Sequence, residues 1–352
     1  MWIRVERWKM KPPYRIPSMQ EIQELPWNGF NAISTFSGCG GSSLGYRMAG
    51  FKVLWANEFI DAARNSYNAN KAPYTIVDGR DIRQVQAADI LNEIGLKPGE
   101  LDLFDGSPPC ASFSTAGKRE AGWGKVKKYS DKAQRTDDLF FEYIRLLKGL
   151  QPKTFVAENV SGLVKGTAKG YFLEILKALK ECGYQVSCKI LDAQYLGVPQ
   201  ARQRTIFVGV RKDLGLEPVH PKPLNYIYTV KDAWENLKES GPSFEHYKLY
   251  DRWKKCLPNG NHEKLINLKR LRWNEPSNTI CQTWGNGTAS ITHPDLPQYP
   301  SINQLKRLAG FPDDFILIGQ FAKQWERIGR AVPPVMMSHI ATTIRDEILA
   351  KT

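Results

Sequence analysis

The strongest chemical signal in the chain is Pro108-Pro109-Cys110, which follows the apolar run 101–105 and the pair Gly106-Ser107. A β-type run ending in Gly-Ser-Pro-Pro stops abruptly, because proline fixes its own φ and donates nothing to a ladder. Cys110 is therefore expected at the carboxyl end of a strand, where open α/β sheets carry their chemistry. A thiolate at that place is a soft nucleophile. The free thiol has a pKa of ~8.5, so nearby positive charge is needed to populate the thiolate. Arg202 and Arg204, in Gln200-Ala201-Arg202-Gln203-Arg204, are the candidates to supply it. Glu158 closes another β-run and is expected beside Cys110, as a carboxyl able to hold or give a proton.

A second group of residues reads as a ligand loop. The run 32–36 leads into Ser37-Gly38-Cys39-Gly40-Gly41, where glycines let a ligand approach main chain that a Cβ would block. Position 43 is serine, so the dinucleotide pattern G-x-G-x-x-G is broken and a pyrophosphate is disfavoured. Glu58 ends the next run about 20 residues on, where an acid can bond a ribose hydroxyl. Asp81 follows a third run and can accept from an adenine amino group. An adenosine-bearing ligand without phosphates fits this set, and S-adenosylmethionine is the candidate.

The elements that must position these groups alternate. Strands are expected at 32–36, 53–56, 74–77, 101–105, 154–157, 185–191 and 205–210, and helices at 43–49, 139–150 and 171–182. That alternation predicts an α/β fold with a parallel-dominated sheet covered on both faces. Residues 1–28 read as an irregular extension with one short helix near 19–25. After Arg211 the texture changes to a Pro-, Asn-, Trp-, Tyr- and Lys-rich segment, 213–300, which suggests a separate irregular domain. Helical pattern returns at 302–308 and from 334 onward.

Composition narrows the partners. Lys and Arg number 49 against 36 Asp and Glu, a formal charge of +13. Such an excess favours a polyanion, nucleic acid above all. The six cysteines (39, 110, 182, 188, 256, 281) contain no CxxC pair. That argues against a zinc site or disulfide framework and for a reducing, cytoplasmic setting. No apolar stretch reaches the ~18 residues of a membrane span.

Taken together, these motifs resemble the cytosine-5 DNA methyltransferase family, in the family's own order over about 31–211 and 302–345. Phe36-Ser37-Gly38-Cys39-Gly40-Gly41 resembles its cofactor loop, Pro108-Pro109-Cys110 its nucleophile motif and Glu158-Asn159-Val160 its acid motif. Gln200 to Arg204 is similar to its basic motif, with Arg204 implied at the cytosine carbonyl oxygen. Gly310-Phe311-Pro312-Asp313-Asp314-Phe315 and Gly329-Arg330-Ala331-Val332-Pro333-Pro334 resemble its closing motifs. The resemblance implies a Rossmann-like S-adenosylmethionine-dependent sheet with a smaller target-recognition domain. Its divisions are an extension at 1–28, a catalytic domain at 29–212, a recognition domain and hinge at 213–319, and a return at 320–352. Cofactor contacts are implied at Phe36 to Gly41, Glu58, Asp81, Pro108, Arg330 and Val332.

The implied reaction is methylation of duplex DNA by a monomeric bacterial or phage enzyme. The target cytosine is extruded into the pocket, and Cys110 adds to its carbon 6. A loop at 111–135, carrying Lys118, Arg119, Lys127 and Lys128, is expected to close over DNA, with Ala111 where the family often has Gln. Gln200, Arg252, Arg270 and Arg272 are expected DNA contacts.

Three other readings share the motifs: a tRNA cytosine-5 methyltransferase, a non-catalytic DNA-binding relative, and a carboxymethyl transferase. The last follows from Arg330, which stands where the family usually has Asn near the methionine end of the cofactor. A guanidinium there calls for a negative partner. Asp313, Asp314, a DNA phosphate, the cofactor's own carboxylate or the extra carboxylate of carboxy-S-adenosylmethionine would each serve.

Overall fold

The computed structural model describes residues 11–109, 127–129, 132–134, 138–164, 169–256, 261–262, 265–284 and 290–352. In chain order the elements begin with α1 (Met19–Glu24), β1 (Asn31–Thr35), α2 (Gly41–Met48), β2 (Lys52–Asn57), α3 (Asp61–Asn70), β3 (Ile76–Asp78), α4 (Ala87–Ile94) and β4 (Leu103–Gly106). There follow β5 (Lys127–Tyr129), β6 (Lys132–Gln134), α5 (Leu139–Leu150), β7 (Thr154–Val160), α6 (Lys169–Glu181), β8 (Tyr184–Asp192) and β9 (Gln203–Arg211). Beyond Arg211 come α7 (Val230–Ala233), α8 (Lys248–Lys255), β10 (Asn261–His262), β11 (Leu265–Arg270), β12 (Ser290–Thr292), α9 (Ile302–Leu308), α10 (Phe321–Arg330) and α11 (Pro334–Glu347).

The main sheet has seven strands in the order β3-β2-β1-β4-β7-β9-β8. Pairing is parallel from β3 through β7, and β9 runs antiparallel to both its neighbours. The parallel-dominated sheet is thus as expected, with one reversed strand. The order reverses at β1 and β4, and their carboxyl ends flank the crevice where such sheets bind ligands. One apolar layer packs α4, α5 and α6 against Phe104, Phe155 and Phe207. The opposite layer packs α2 and α11 against Ala32, Leu103, Val156 and Val208.

The α2–α11 contact explains two glycines. A Cβ at Gly41 would overlap the Val332 carbonyl oxygen, and one at Gly45 would lie 2.5 Å from Met337 Cβ. Both glycines therefore permit helix-to-chain approach as well as any ligand approach.

Most expected boundaries shift by one to three residues, and further helices are present. The third strand starts at Ile76 rather than 74, the helix expected at 43–49 starts at Gly41, and that expected at 171–182 starts at Lys169. Helices α3, α4, α7, α8 and α10 are additions to the expected set. Residues beyond Arg211 build a third cluster around Trp234, Trp253, Leu271, Tyr299 and Trp325. The 11–28 segment braces it, with Tyr14 Oη donating to the Arg307 carbonyl at 2.7 Å and its ring 4.8 Å from that of Tyr228. Among the described residues no helix is long and apolar enough to cross a membrane.

Candidate active site

The site gathers at the carboxyl ends of β1, β2, β4 and β7 and the amino end of the antiparallel β9. Strand β4 ends at Gly106, and the chain continues through Ser107, Pro108 and Pro109 toward Cys110. Cys110 itself lies outside the described residues. Its approach is fixed, because Asn159 donates its side-chain amide to the Pro108 carbonyl at 3.0 Å. One residue earlier on β7, Glu158 pairs with Arg204 of β9, Oε1 to Nε at 2.8 Å. The antiparallel register sets Val160 opposite Arg204 and Glu158 opposite Ile206, so the two side chains share one face. Both are mostly buried. A carboxyl and a guanidinium are therefore held together beside the exit toward Cys110.

Arg202 does not join them. It is 2 % exposed, and its guanidinium donates to the carbonyls of Ile280 at 3.0 Å and Gly329 at 2.8 Å. Burial disfavours its charge. Those bonds tie the strand start to the 280 segment and to the end of α10. Gln200 is also corrected. It is 1 % exposed, its amide donates to the Leu308 carbonyl, and its oxygen accepts from the Ile280 N–H. A side chain so enclosed does not reach DNA in this conformation.

The loop after β1 is shaped by main-chain conformation. Phe36 has φ 54°, Gly38 has φ 58° and Gly40 has φ 99°. A Cβ at Gly38 would meet nothing within 4 Å, so there is open space at that point of the loop. Glu58, just past β2, accepts from the N–H groups of Gly38 and Ile60, each at 2.7 Å. Burial raises its pKa, and those two N–H groups oppose the shift. The Ser37 hydroxyl bonds back to Ser34. Burial pushes the Cys39 thiol up to about 12, so this neighbouring cysteine stays protonated and is no rival nucleophile. Asp81 follows β3, caps the short turn Ile82–Gln84 and pairs with Arg83 at 3.1 Å. A positive-φ glycine loop, open at Gly38 and with a carboxylate at its back, suits an adenosine-type cofactor.

Val332 is buried against this loop, its carbonyl facing Gly41. Arg330 ends α10 and pairs with Glu326, one turn back, at 2.9 Å. The expected partners Asp313 and Asp314 are engaged elsewhere: Asp313 pairs with Arg307 at 2.7 Å, and Asp314 accepts from the Met19 N–H. The carboxylate that answers Arg330 is thus Glu326, which sequence reading passed over although its i,i+4 spacing was visible.

The expected DNA contacts divide. Lys118 and Arg119 lie outside the described residues, while Lys127 and Lys128 fall on β5, paired antiparallel with β6. Arg252 is exposed on α8, and Arg272 is exposed and paired with Glu275 at 2.6 Å. Arg270 lies over the Trp253 ring, 4.0 Å from its centroid, and donates to the Cys256 carbonyl. It packs the segment's core. Among the described residues no group of His, Cys, Asp and Glu is placed to hold a metal ion.

This sheet, its switch-point loop and the acid beside it define the S-adenosylmethionine-dependent methyltransferase class. Residues 30–346 match the C-5 cytosine-specific DNA methylase family, and the chain belongs to that family as a DNA cytosine-5 methyltransferase. It is 31 % identical over 338 residues to the Type II methyltransferase M.NgoFVII of Neisseria gonorrhoeae, covering 89 % of this chain and 85 % of that one. It is also 31 % identical over 343 residues to M.MthTI of Methanothermobacter thermautotrophicus, covering 90 % and 97 %. The fold is shared with a putative DNA modification methyltransferase from an Escherichia coli prophage, at TM-score 0.73 and 23 % identity over 91 % of this chain and all of that one. The S. pombe Dnmt2 methyltransferase shares it at TM-score 0.63 and 15 % identity, over 91 % and 98 %. The family implies S-adenosylmethionine as cofactor.

Proposed function

We propose that this chain methylates one cytosine within a short duplex DNA sequence, with Cys110 as nucleophile and Glu158 as the acid. The observation that carries the proposal is the Glu158–Arg204 pair at 2.8 Å, one residue from the Asn159 amide that grips the chain leading to Cys110. Carbon 5 of cytosine is a weak nucleophile until a thiolate adds to carbon 6 and converts the ring to an enamine. Arg204 orients the Glu158 carboxylate; with a proton taken up from solvent, Glu158 donates to ring nitrogen 3 as the thiolate adds. Arg204 also offers N–H groups to the ring's carbonyl oxygen. S-adenosylmethionine supplies the methyl group. Phe36 to Gly41 and Val332 would hold it, with Glu58 on the ribose and Asp81 on the adenine.

The chain would divide as an extension at 1–28, a catalytic domain at 29–212, a recognition region with its hinge at 213–319, and a return at 320–352. In the recognition region Arg252 and Arg272 would meet DNA, and Lys118, Arg119, Lys127 and Lys128 would neutralise phosphates. The kinship with Type II methyltransferases supports a role in restriction-modification, and we read the enzyme as a monomer acting in the cytoplasm.

The donor is read as S-adenosylmethionine rather than its carboxy derivative. Glu326, which also pairs with Arg327, already gives Arg330 a carboxylate partner within the chain, so the position of Arg330 does not call for a carboxylate on the transferred carbon. Offered both donors in competition, the enzyme should yield 5-methylcytosine alone by nucleoside mass. 5-Carboxymethylcytosine would reverse this reading.

The mechanism is tested with duplex DNA carrying 5-fluorocytosine at the target. Wild type should form a covalent adduct through Cys110, and Cys110→Ala should form none. No adduct from a preparation that methylates ordinary DNA would refute the nucleophile.

A further inference from the structure

Asp105, near the end of β4, is 1 % exposed and is used by no step above. It sits opposite Ser34 of β1 in the parallel register. The Ser34 hydroxyl donates to its Oδ2 at 2.7 Å, and the Tyr46 hydroxyl of α2 donates to its Oδ1 at 3.0 Å. Ser34 in turn is the partner of Ser37, whose hydroxyl lies 3.2 Å from the Ser34 hydroxyl and 3.0 Å from its carbonyl. A buried relay thus runs from the cofactor loop, through β1, to the strand that carries the nucleophile five residues on. The two strand exits are joined again where Ser107 N–H donates to the Thr35 carbonyl at 3.3 Å.

We infer that Asp105 is a positioning residue, whose ionised carboxylate holds the cofactor loop in register with the nucleophile strand. This rests on the assignment of residues 36–41 to the cofactor. The pattern suits the ionised form, because a carboxylate accepts from both hydroxyls at once and brings no O–H that needs an acceptor of its own. A protonated acid must donate through one oxygen, and one arm of the relay then reorients. Charged acceptors also make the stronger bonds.

Burial pushes the Asp105 carboxyl up to about 7, opposed by the two hydroxyls that favour the anion. Facing it are Ser34 from β1, Tyr46 from α2, Tyr143 from α5, Tyr67 from α3 and Glu158 from β7, whose negative charge adds to the rise. Above that value the relay is complete, and below it one arm is lost.

The test is calorimetric binding of S-adenosylhomocysteine to the full chain at pH 8 and pH 6, for wild type, Asp105→Asn and Ser34→Ala. Asparagine mimics the protonated acid in shape and charge, and Ser34→Ala cuts the relay while leaving the acid. At pH 8 each variant should bind about tenfold more weakly, the scale of a lost bond to a charged group. At pH 6 the gap between wild type and Asp105→Asn should narrow, because the wild-type acid is then largely protonated. Affinity for duplex DNA should stay within about twofold, as a local effect on one loop requires.

Wild-type affinity at pH 8 in either folded variant would overturn the inference. So would a parallel loss of DNA binding, which signals general disruption. Should Asp105→Asn fail to fold, Ser34→Ala alone decides by the same criteria. Failure of wild type itself to bind would instead overturn the cofactor assignment.

Discussion

Around β1 and β2 the site is a main-chain loop backed by the Glu58 carboxylate, whereas around β7 and β9 it is made of paired charged side chains. On the first side, positive-φ residues turn the loop, Gly41 admits the Val332 carbonyl, and Gly45 lets Met337 of α11 pack directly on α2. On the second side, Glu158 meets Arg204, Asn159 meets the Pro108 carbonyl, and buried Arg202 ties three segments together. The difference matches what each side must do. A cofactor that is always the same can be gripped by fixed backbone. A base that arrives from outside needs protons and charges presented in place.

The contrast can be broken from either side. On the charged side, Glu158→Gln should lower kcat by about 10²–10⁴, the usual span for a lost general acid. Affinity for S-adenosylhomocysteine should be retained. A near-normal rate would assign the proton to another group and leave the pair with Arg204 as structure only.

On the main-chain side, Gly45→Val forces a branched side chain against Met337 and the Pro334 carbonyl. Overpacking of this kind costs about 1–3 kcal/mol. Thermal melting should fall by several degrees, with adduct formation intact at low temperature. An unchanged melting point would mean that α2 and α11 separate at no cost, contrary to their contact.

A smaller effect concerns the approach of DNA. Replacing Lys127 and Lys128 together by Gln should reduce the slope of log K against log salt by about two and weaken binding to all sequences alike. A changed sequence preference would move base reading from the segment after Arg211 to the β5–β6 pair.

Much of this arrangement was legible in the sequence, and the failures have physical causes. Helices 139–150 and 302–308 were placed to the residue, because each carries apolar residues at helical spacing. Helix α3 escaped notice because its buried face is Ala63, Ser66, Tyr67 and Asn70, small and polar groups that leave no apolar stripe. Helix α10 did show a stripe, Phe321, Trp325 and Ile328, broken by charges that pair among themselves.

The reversal of β9 had a signal too. The joint between Asp192 and Gln203 holds only one short turn, Ala193–Leu196, too little for the crossover that a parallel pair requires. The identities of Glu158 and Arg204 were readable from their motifs. The enclosed state of Gln200 and Arg202 was not, because their partners lie some 80 to 130 residues away in sequence.

The closure of Val332 on Gly41 has a consequence for how the protein is made. The two residues are about 290 positions apart, so the wall of the cofactor loop cannot exist while a ribosome is still supplying the stretch between them. Contacts of such separation form late, after the cost of closing the chain has been met. The nascent polypeptide therefore lacks this wall until Val332 has been added. The same closure leaves the segment after Arg211 as a long excursion between two parts of one already joined body.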